Sequence, residues 1–132
     1  MSLKKIDSAG SRGPIPCESL NAIFDLLISK RLSEAEKILR EMEPLIRENI
    51  RDEFDLGFLQ AIKGLILMYK SNDRDTFLSN IDLNDAGALR KYYNEFLEIS
   101  KDNLHSPYDR GYFSALSEYM LFALRRLGSR GK

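Results

Sequence analysis

The sequence predicts an all-α fold, a bundle of five or six helices packed in a single domain. Apolar residues recur at helical spacing from residue 17 almost to the end of the 132-residue chain, and helix start signals precede several of these stretches. No segment combines β-branched residues with hairpin turns, as paired strands do. We therefore expect a flexible tail over 1–16, one helical domain over 17–128 and a basic tail over 129–132.

The first two predicted helices each carry one apolar face. The first spans 18–30, and its inward residues are Leu20, Ile23, Phe24 and Leu27. The second begins at Ser33, because Ser33 and Glu36 have the spacing of a capping box, in which each side chain binds a free backbone N–H. Its inward residues are Ala35, Ile38, Leu39, Met42 and Leu45. Pro44 lacks a backbone donor, so we expect a kink or a break there.

The third predicted helix, over 52–70, is apolar on most of its surface. Its main stripe consists of Phe54, Phe58, Ala61, Ile62, Leu65 and Tyr69, and further apolar residues on other faces are Leu59, Ile66, Leu67 and Met68. A helix of this kind belongs in the middle of a bundle or beneath a partner. Asn72 and Asp73 suit a helix stop followed by a new N-cap, and a short fourth helix is expected over 74–80.

The last two predicted helices have clear starts. A turn over 82–85 leads into the fifth helix, over 86–102. The sixth has Ser106 as its cap, Pro107 in the first helical position and Asp109 in the first turn. We expect it to end at Gly128. The inward residues of this pair are Leu89, Tyr92, Tyr93, Phe96, Ile99, Tyr112, Ala115, Leu116, Tyr119 and Ala123.

Residues 54–62 and 108–116 share a pattern of aromatic, Asp, any residue, Gly, aromatic, two of any, Ala and aliphatic, at an offset of 54. This offset predicts two three-helix units; the alternative is an ordinary bundle of five or six helices. Because 54 residues make about fifteen helical turns, apolar positions match by phase alone, and the Asp, Gly and Ala matches carry the evidence. We expect the glycines to let helices approach closely and the aspartates to complement helix dipoles. A paired site built from Asp55 and Asp109 is the alternative.

Residues 28–39 are similar to the turn and second helix of a tetratricopeptide-type repeat, in which a small residue at the position of Ala35 packs between helices. The resemblance covers about a third of the chain. It concerns architecture, and it implies short antiparallel helices stacked in hairpins.

The composition favours few kinds of chemistry. Twenty acidic and twenty basic residues cancel, and neither a P-loop nor a dinucleotide-binding glycine motif occurs. Cys17 is the one cysteine and His105, expected in an exposed loop, the one histidine. We expect Glu34, Glu36, Glu41 and Glu43 to lie on polar helix faces beside Lys37 and Arg40 and to form solvated pairs there. An enzyme, a metal, a cofactor and a small-molecule substrate are therefore not expected.

Neither a signal-peptide pattern at the first residues nor an apolar run of about 20 residues is present. These features, together with the single cysteine, favour the cytoplasm and no membrane association.

A protein-interaction module, such as a scaffold or adaptor, is the function that the sequence favours. The third and sixth helices have more apolar surface than a short chain can easily cover, so we expect a surface that docks a protein partner or a second copy. Its expected residues are Phe58, Leu59, Tyr112, Phe113 and Phe122.

Nucleic-acid binding is the alternative function. Bases cluster at both ends of the chain, and one Arg-Lys pair precedes two tyrosines that could stack on bases. The residues expected to bind in that case are Lys4, Lys5, Arg90, Lys91, Arg125, Arg126 and Arg130.

Overall fold

A computed structural model describes residues 13–71 and 78–130 of the chain. Its helices are α1 (Cys17–Ile28), α2 (Leu32–Glu48), α3 (Glu53–Ser71), α4 (Ala86–Lys101) and α5 (Pro107–Arg130), with one 3-10 turn at Leu78–Asn80. These two ranges contain no strand, so the predicted all-α bundle is confirmed. The predicted stop at Asn72 and Asp73 and most of the predicted helix over 74–80 lie outside the described residues.

Helix α3 buries much of its surface in the bundle, as expected for a helix that is apolar on most sides. It packs along α5 and also contacts α2, and its buried residues include Phe58, Ile62 and Leu65. Helix α4 packs extensively on α5, while α1 contacts α2 and α5. At the far end of the α3–α5 contact the hydroxyls of Tyr69 and Tyr119 form a hydrogen bond. Burial raises the pKa of both phenols.

Two glycines bring the backbones of α3 and α5 into contact. A Cβ atom on Gly57 would lie 2.0 Å from the carbonyl oxygen of Tyr108, and a Cβ atom on Gly111 would lie 1.9 Å from the carbonyl oxygen of Phe54. The contact is reciprocal, because each glycine faces the residue that precedes the other glycine by three positions. The expectation that these glycines permit close helix approach is confirmed.

The starts of α3 and α5 also correspond in their capping. Asp52 Oδ1 accepts a hydrogen bond from the Asp55 N–H at 3.1 Å, and Ser106 Oγ accepts one from the Asp109 N–H at 3.1 Å. α2 and α4 begin 54 residues apart, as do α3 and α5. The aspartates themselves differ, since Asp55 is buried while Asp109 is exposed, so the paired aspartate site is wrong. A true duplication stays a prediction.

Asp55 is a fully buried carboxylate, and Arg51 supplies its charge partner. Its Oδ2 accepts hydrogen bonds from the backbone N–H of Arg51 at 3.0 Å and from Arg51 Nε at 2.9 Å. This contact raises the pKa of the arginine. The carboxylate also lies in the first turn of α3, where the helix dipole favours a negative charge.

Helix α2 departs from the sequence-based prediction at both ends. Its N-cap is Arg31, and no side-chain capping bond forms; Glu34 accepts a hydrogen bond from Arg31 Nη2 at 2.8 Å instead, so the predicted capping box is wrong. The helix continues through Pro44 without a break. A proline removes one backbone hydrogen bond of its own helix, and the buried Ile46 beyond it holds the last turn against the core. Leu45, predicted to face inward, is exposed.

The ends of the helical domain also differ from the prediction. Pro14 and Ile15 are buried, and Gly13 packs against the ring of Phe58. The predicted tail boundary at residue 16 is therefore wrong, because Ile15 packs in the hydrophobic core. Helix α5 continues past Gly128 to Arg130 rather than ending at the glycine.

Candidate functional site

The apolar residues predicted to dock a partner do not form one accessible surface. Phe58 and Leu59 are fully buried, so their placement on the surface is wrong. Tyr112, Phe113 and Phe122 are half-buried and pack against the core. The α3–α5 crossing covers much of the surface that the sequence suggested would be left open.

The bases predicted for nucleic acid are spread over several elements. Arg90, Lys91 and Arg125 are exposed, and Lys91 Nζ lies 5.5 Å from the centroid of the Tyr92 ring. Arg126 is half-buried, forms an ion pair with Asp25 of α1 and leaves its Nε buried without a hydrogen bond in the described part of the chain. Lys4, Lys5 and the side chain of Arg130 lie outside the described residues, and nucleic-acid binding stays a prediction.

The tyrosines that were expected to stack on bases pack inward. Tyr92 and Tyr93 are half-buried against the core, and the Tyr92 ring stacks on Phe96 at a centroid distance of 6.1 Å. Their rings therefore contribute to the α4–α5 interface.

The one cysteine and the one histidine lie on different elements. Cys17 is exposed at the start of α1, and His105 is half-exposed before α5, with Nε2 3.9 Å from Asp102 Oδ2. Within residues 13–71 and 78–130, no group of three or more His, Cys, Asp or Glu side chains is placed to hold a metal ion.

The strongest candidate site is a cleft of about 370 Å³ between the antiparallel helices α2 and α3. We name it the α2–α3 cleft. Its apolar residues are Leu39, Ile66 and Leu67, and its charged residues are Glu36, Arg40, Glu43, Lys63 and Lys70. Leu67 is 63% exposed although the preceding residues Leu65 and Ile66 are buried. The cleft exists because α2 packs less extensively on α3 than α4 packs on α5.

Two ion pairs bridge the cleft. Lys63 Nζ donates to Glu43 Oε2 at 2.8 Å, and Lys70 Nζ donates to Glu36 Oε2 at 3.0 Å. The paired residues are seven positions apart on each helix, so the bridges stand about two turns, or about 10 Å, apart. Lys63 and the neighbouring Arg47 lower the pKa of Glu43 through their hydrogen bonds.

Arg40 differs from the other bases of the α2–α3 cleft. It is exposed and makes no ion pair within the described ranges, whereas both lysines are paired. The cleft thus has an apolar floor, neutralised pairs at both ends and one spare positive charge.

This cleft was not among the sites expected from the sequence. Glu36 and Glu43 were expected to form solvated pairs with bases of their own helix. Glu43 does pair with Arg47 of α2, but both acids also pair with lysines of α3. The equal seven-residue spacing of the acids on α2 and of the lysines on α3 is a signal for antiparallel pairing. It becomes informative only once the two helices are known to be neighbours.

No protein-family model, no curated protein and no solved structure matches this chain. Among the helices of the described ranges, none has both the length and the apolar character needed to cross a membrane. The function must therefore be inferred from the clefts and charges of the chain itself.

Proposed function

We propose that this chain is a cytoplasmic protein-interaction module, a scaffold or adaptor, whose α2–α3 cleft receives an amphipathic helix of a partner protein. The observation that carries the proposal is the exposed Leu67 on the floor of a cleft between two helices. Exposed apolar side chains that line a groove and are rimmed by charges are typical of docking sites. The antiparallel hairpins support the proposal further, since helical-hairpin repeat proteins bind partners on surfaces of this kind.

The dimensions of the cleft favour a helix as its occupant. Its bridged length corresponds to about two turns, which is the length over which a helix presents apolar residues at i, i+3 or i+4 and i+7. The close packing of α4 on α5 is an example within this chain of a helix that lies on a neighbouring helix surface. The spare charge of Arg40 favours an acidic residue beside the apolar stripe of the partner.

A labelled synthetic peptide tests the proposal. It is cross-linked into a helix and carries leucines at i, i+4 and i+7 with one flanking glutamate, and a scrambled peptide of equal composition is the reference. We expect fluorescence anisotropy to show saturable binding of the first peptide only. Leu67→Glu should weaken binding by at least about tenfold, because it places a charge on the apolar floor.

Leu104→Glu is the matched control, because Leu104 is 94% exposed and does not line the cleft. Both variants should unfold at the wild-type temperature, since both side chains are mostly in solvent already. Equal binding by the Leu67→Glu and Leu104→Glu proteins, or no saturable binding by the wild type, would end the proposal.

A second copy of the chain is the competing occupant of the cleft. Light scattering distinguishes the two, because a helix-binding module without its partner should stay monomeric. A concentration-dependent dimer that Leu67→Glu disrupts and Leu104→Glu leaves intact would show that the cleft serves self-association instead.

A further inference from the structure

A second cleft, of about 640 Å³, lies where the C-terminal end of α4 meets the N-terminal ends of α3 and α5 and then follows α5. We name it the α4–α5 cleft. Its volume falls within the range of about 300 to 1,000 Å³ that is usual for small-molecule sites. The residues that matter for its chemistry are Ser100, Lys101, Arg110, Ser114, Ser117 and Glu118.

Polar side chains line this cleft where a packed helix normally carries apolar ones. Arg110, Ser114 and Glu118 are spaced at i, i+4 and i+8 along α5, so they lie on one face of the helix. Helices that pack against a core usually fill such positions with aliphatic residues. This stripe leaves charged and hydrogen-bonding groups available along the cleft.

Ser114 contributes an available hydroxyl to the cleft, between Arg110 and Glu118 along α5. Its side chain is 8% exposed and lines the cleft, yet its hydroxyl has no hydrogen-bond partner in the described part of the chain. The neighbouring hydroxyls of Ser100 and Ser117 donate to the carbonyls of Leu97 at 2.6 Å and of Ser114 at 2.7 Å. Solvent still reaches the Ser114 hydroxyl, so a ligand that binds it replaces a hydrogen bond to water with one of its own.

Arg110 marks the positive end of the cleft. Its Nε donates to the carbonyl of Ser100 at 3.1 Å, and it makes no ion pair within the described ranges. It lies in the first turns of α5, where the helix dipole favours an anion, and Lys101 lines the same end. The carboxylate of Asp52 is also present there and accepts the Asp55 N–H through its Oδ1, so Arg110, Lys101 and Asp52 together give this end one net positive charge.

Glu118 marks the negative end. It lies eight residues beyond Arg110, which places the two Cα atoms about 12 Å apart along the helix. It forms no ion pair among the described residues. Burial raises the pKa of its carboxyl, and the charge of Arg125 opposes that effect only partly. A cation at this end therefore compensates a charge that the protein leaves poorly compensated.

We propose that the α4–α5 cleft binds a small elongated zwitterion, with its carboxylate on Arg110 and Ser114 and its ammonium group on Glu118. An aliphatic ω-amino acid and a short peptide share this chemistry. The site is separate from the α2–α3 cleft, so either proposal can fail without the other.

Isothermal titration calorimetry on the full chain tests the assignment with three probes, ω-aminooctanoate, octanoate and octylamine. The ω-amino acid should bind at least about tenfold more tightly than octanoate, since only the former pairs with both charges. Glu118→Gln should bring the ratio of the two affinities close to one. Arg110→Gln should weaken the binding of both ω-aminooctanoate and octanoate, since each carries a carboxylate. Triglycine and tetraglycine, run in parallel, show whether the natural ligand class is the peptide or the aliphatic amino acid.

Arg90→Gln is the control, because Arg90 is exposed on α4 outside the cleft, and it should leave all three affinities unchanged. Ser114→Ala carries little risk to folding, and it should weaken the binding of the ω-amino acid and of octanoate to the same extent. Circular dichroism confirms that each variant is folded. Equal affinities of the ω-amino acid and octanoate, a ratio that survives Glu118→Gln, or the absence of binding by every zwitterion would overturn the proposal.

Discussion

The glycine crossing of α3 and α5 makes the sharpest prediction about stability. In Gly111→Ala the new methyl carbon would stand 1.9 Å from the Phe54 carbonyl oxygen, whereas ordinary contact begins at 3.4 Å. The helices must therefore separate by about 1.5 Å at this point, since a backbone atom cannot rotate away as a side chain does. Overpacking of this kind costs about 3 kcal/mol, at the upper end of the usual range. Alanine's better helix propensity offsets about 1 kcal/mol, which leaves a net loss of about 2 kcal/mol.

Urea unfolding followed by circular dichroism measures this loss. Gly57→Ala, with 2.0 Å to the Tyr108 carbonyl oxygen, should behave like Gly111→Ala. The matched control is Gly128→Ala, also in a helix, where an added Cβ meets nothing within 4 Å. It should keep or slightly raise the free energy of unfolding, by up to about 1 kcal/mol. The double variant of Gly57 and Gly111 should lose less than the sum of the single losses, because one helix separation accommodates both methyl groups.

The refuting result is specific. If Gly111→Ala unfolds at the same urea concentration as Gly128→Ala, the two backbones are not in contact at the crossing. Additive losses in the double variant would refute the shared separation while leaving each single contact in place.

Three further predictions concern titratable groups. Arg51→Ala leaves the buried Asp55 carboxylate with fewer donors, so urea unfolding should show a loss of about 2 kcal/mol, the usual value for hydrogen bonds to a charged group. The pKa of Glu118 is raised in the fold from its ordinary value of 4.5, so the protein should lose stability as the pH rises from 4.5 through the raised pKa. Glu118→Gln should remove this loss in thermal melts recorded from pH 4 to 8. The pKa values of Tyr69 and Tyr119 are raised from 10, so the stability that the two neutral phenols contribute should be complete below pH 10 and lost as the pH rises above it. Tyr119→Phe should make the loss of stability with rising alkaline pH less steep.

Much of the fold could be predicted from the sequence because the relevant interactions are local. Ser106 caps α5 through a hydrogen bond to a residue three positions away, and Asp85 caps α4 through the Ala88 N–H at 3.1 Å. Such signals are complete within one turn of chain. The extensive burial of α3 followed from its largely apolar surface, because other helices or a partner must cover a helix of this kind.

The candidate sites could not be predicted in the same way. Periodicity identified α3 as apolar on most of its surface, but it could not say that Phe58 and Leu59 would be buried while Leu67 stays exposed. The ion pairs of Glu36 and Glu43 with lysines of α3 form only because α2 packs beside α3, and the sequence alone does not say which helices are neighbours. The polar face of α5 was overlooked because serine, arginine and glutamate on a helix usually face solvent.

By itself, the sequence determined the helical class, several helix starts and the two glycines at which helices can touch. Capping, helix dipoles and apolar spacing act over three or four residues, so they can be read from a linear chain. Only the tertiary structure decided which apolar face is covered, which charges pair between helices and where α2 stands away from α3. These outcomes depend on the competition between whole helices for the same surface, and that competition is resolved only when all of them pack together.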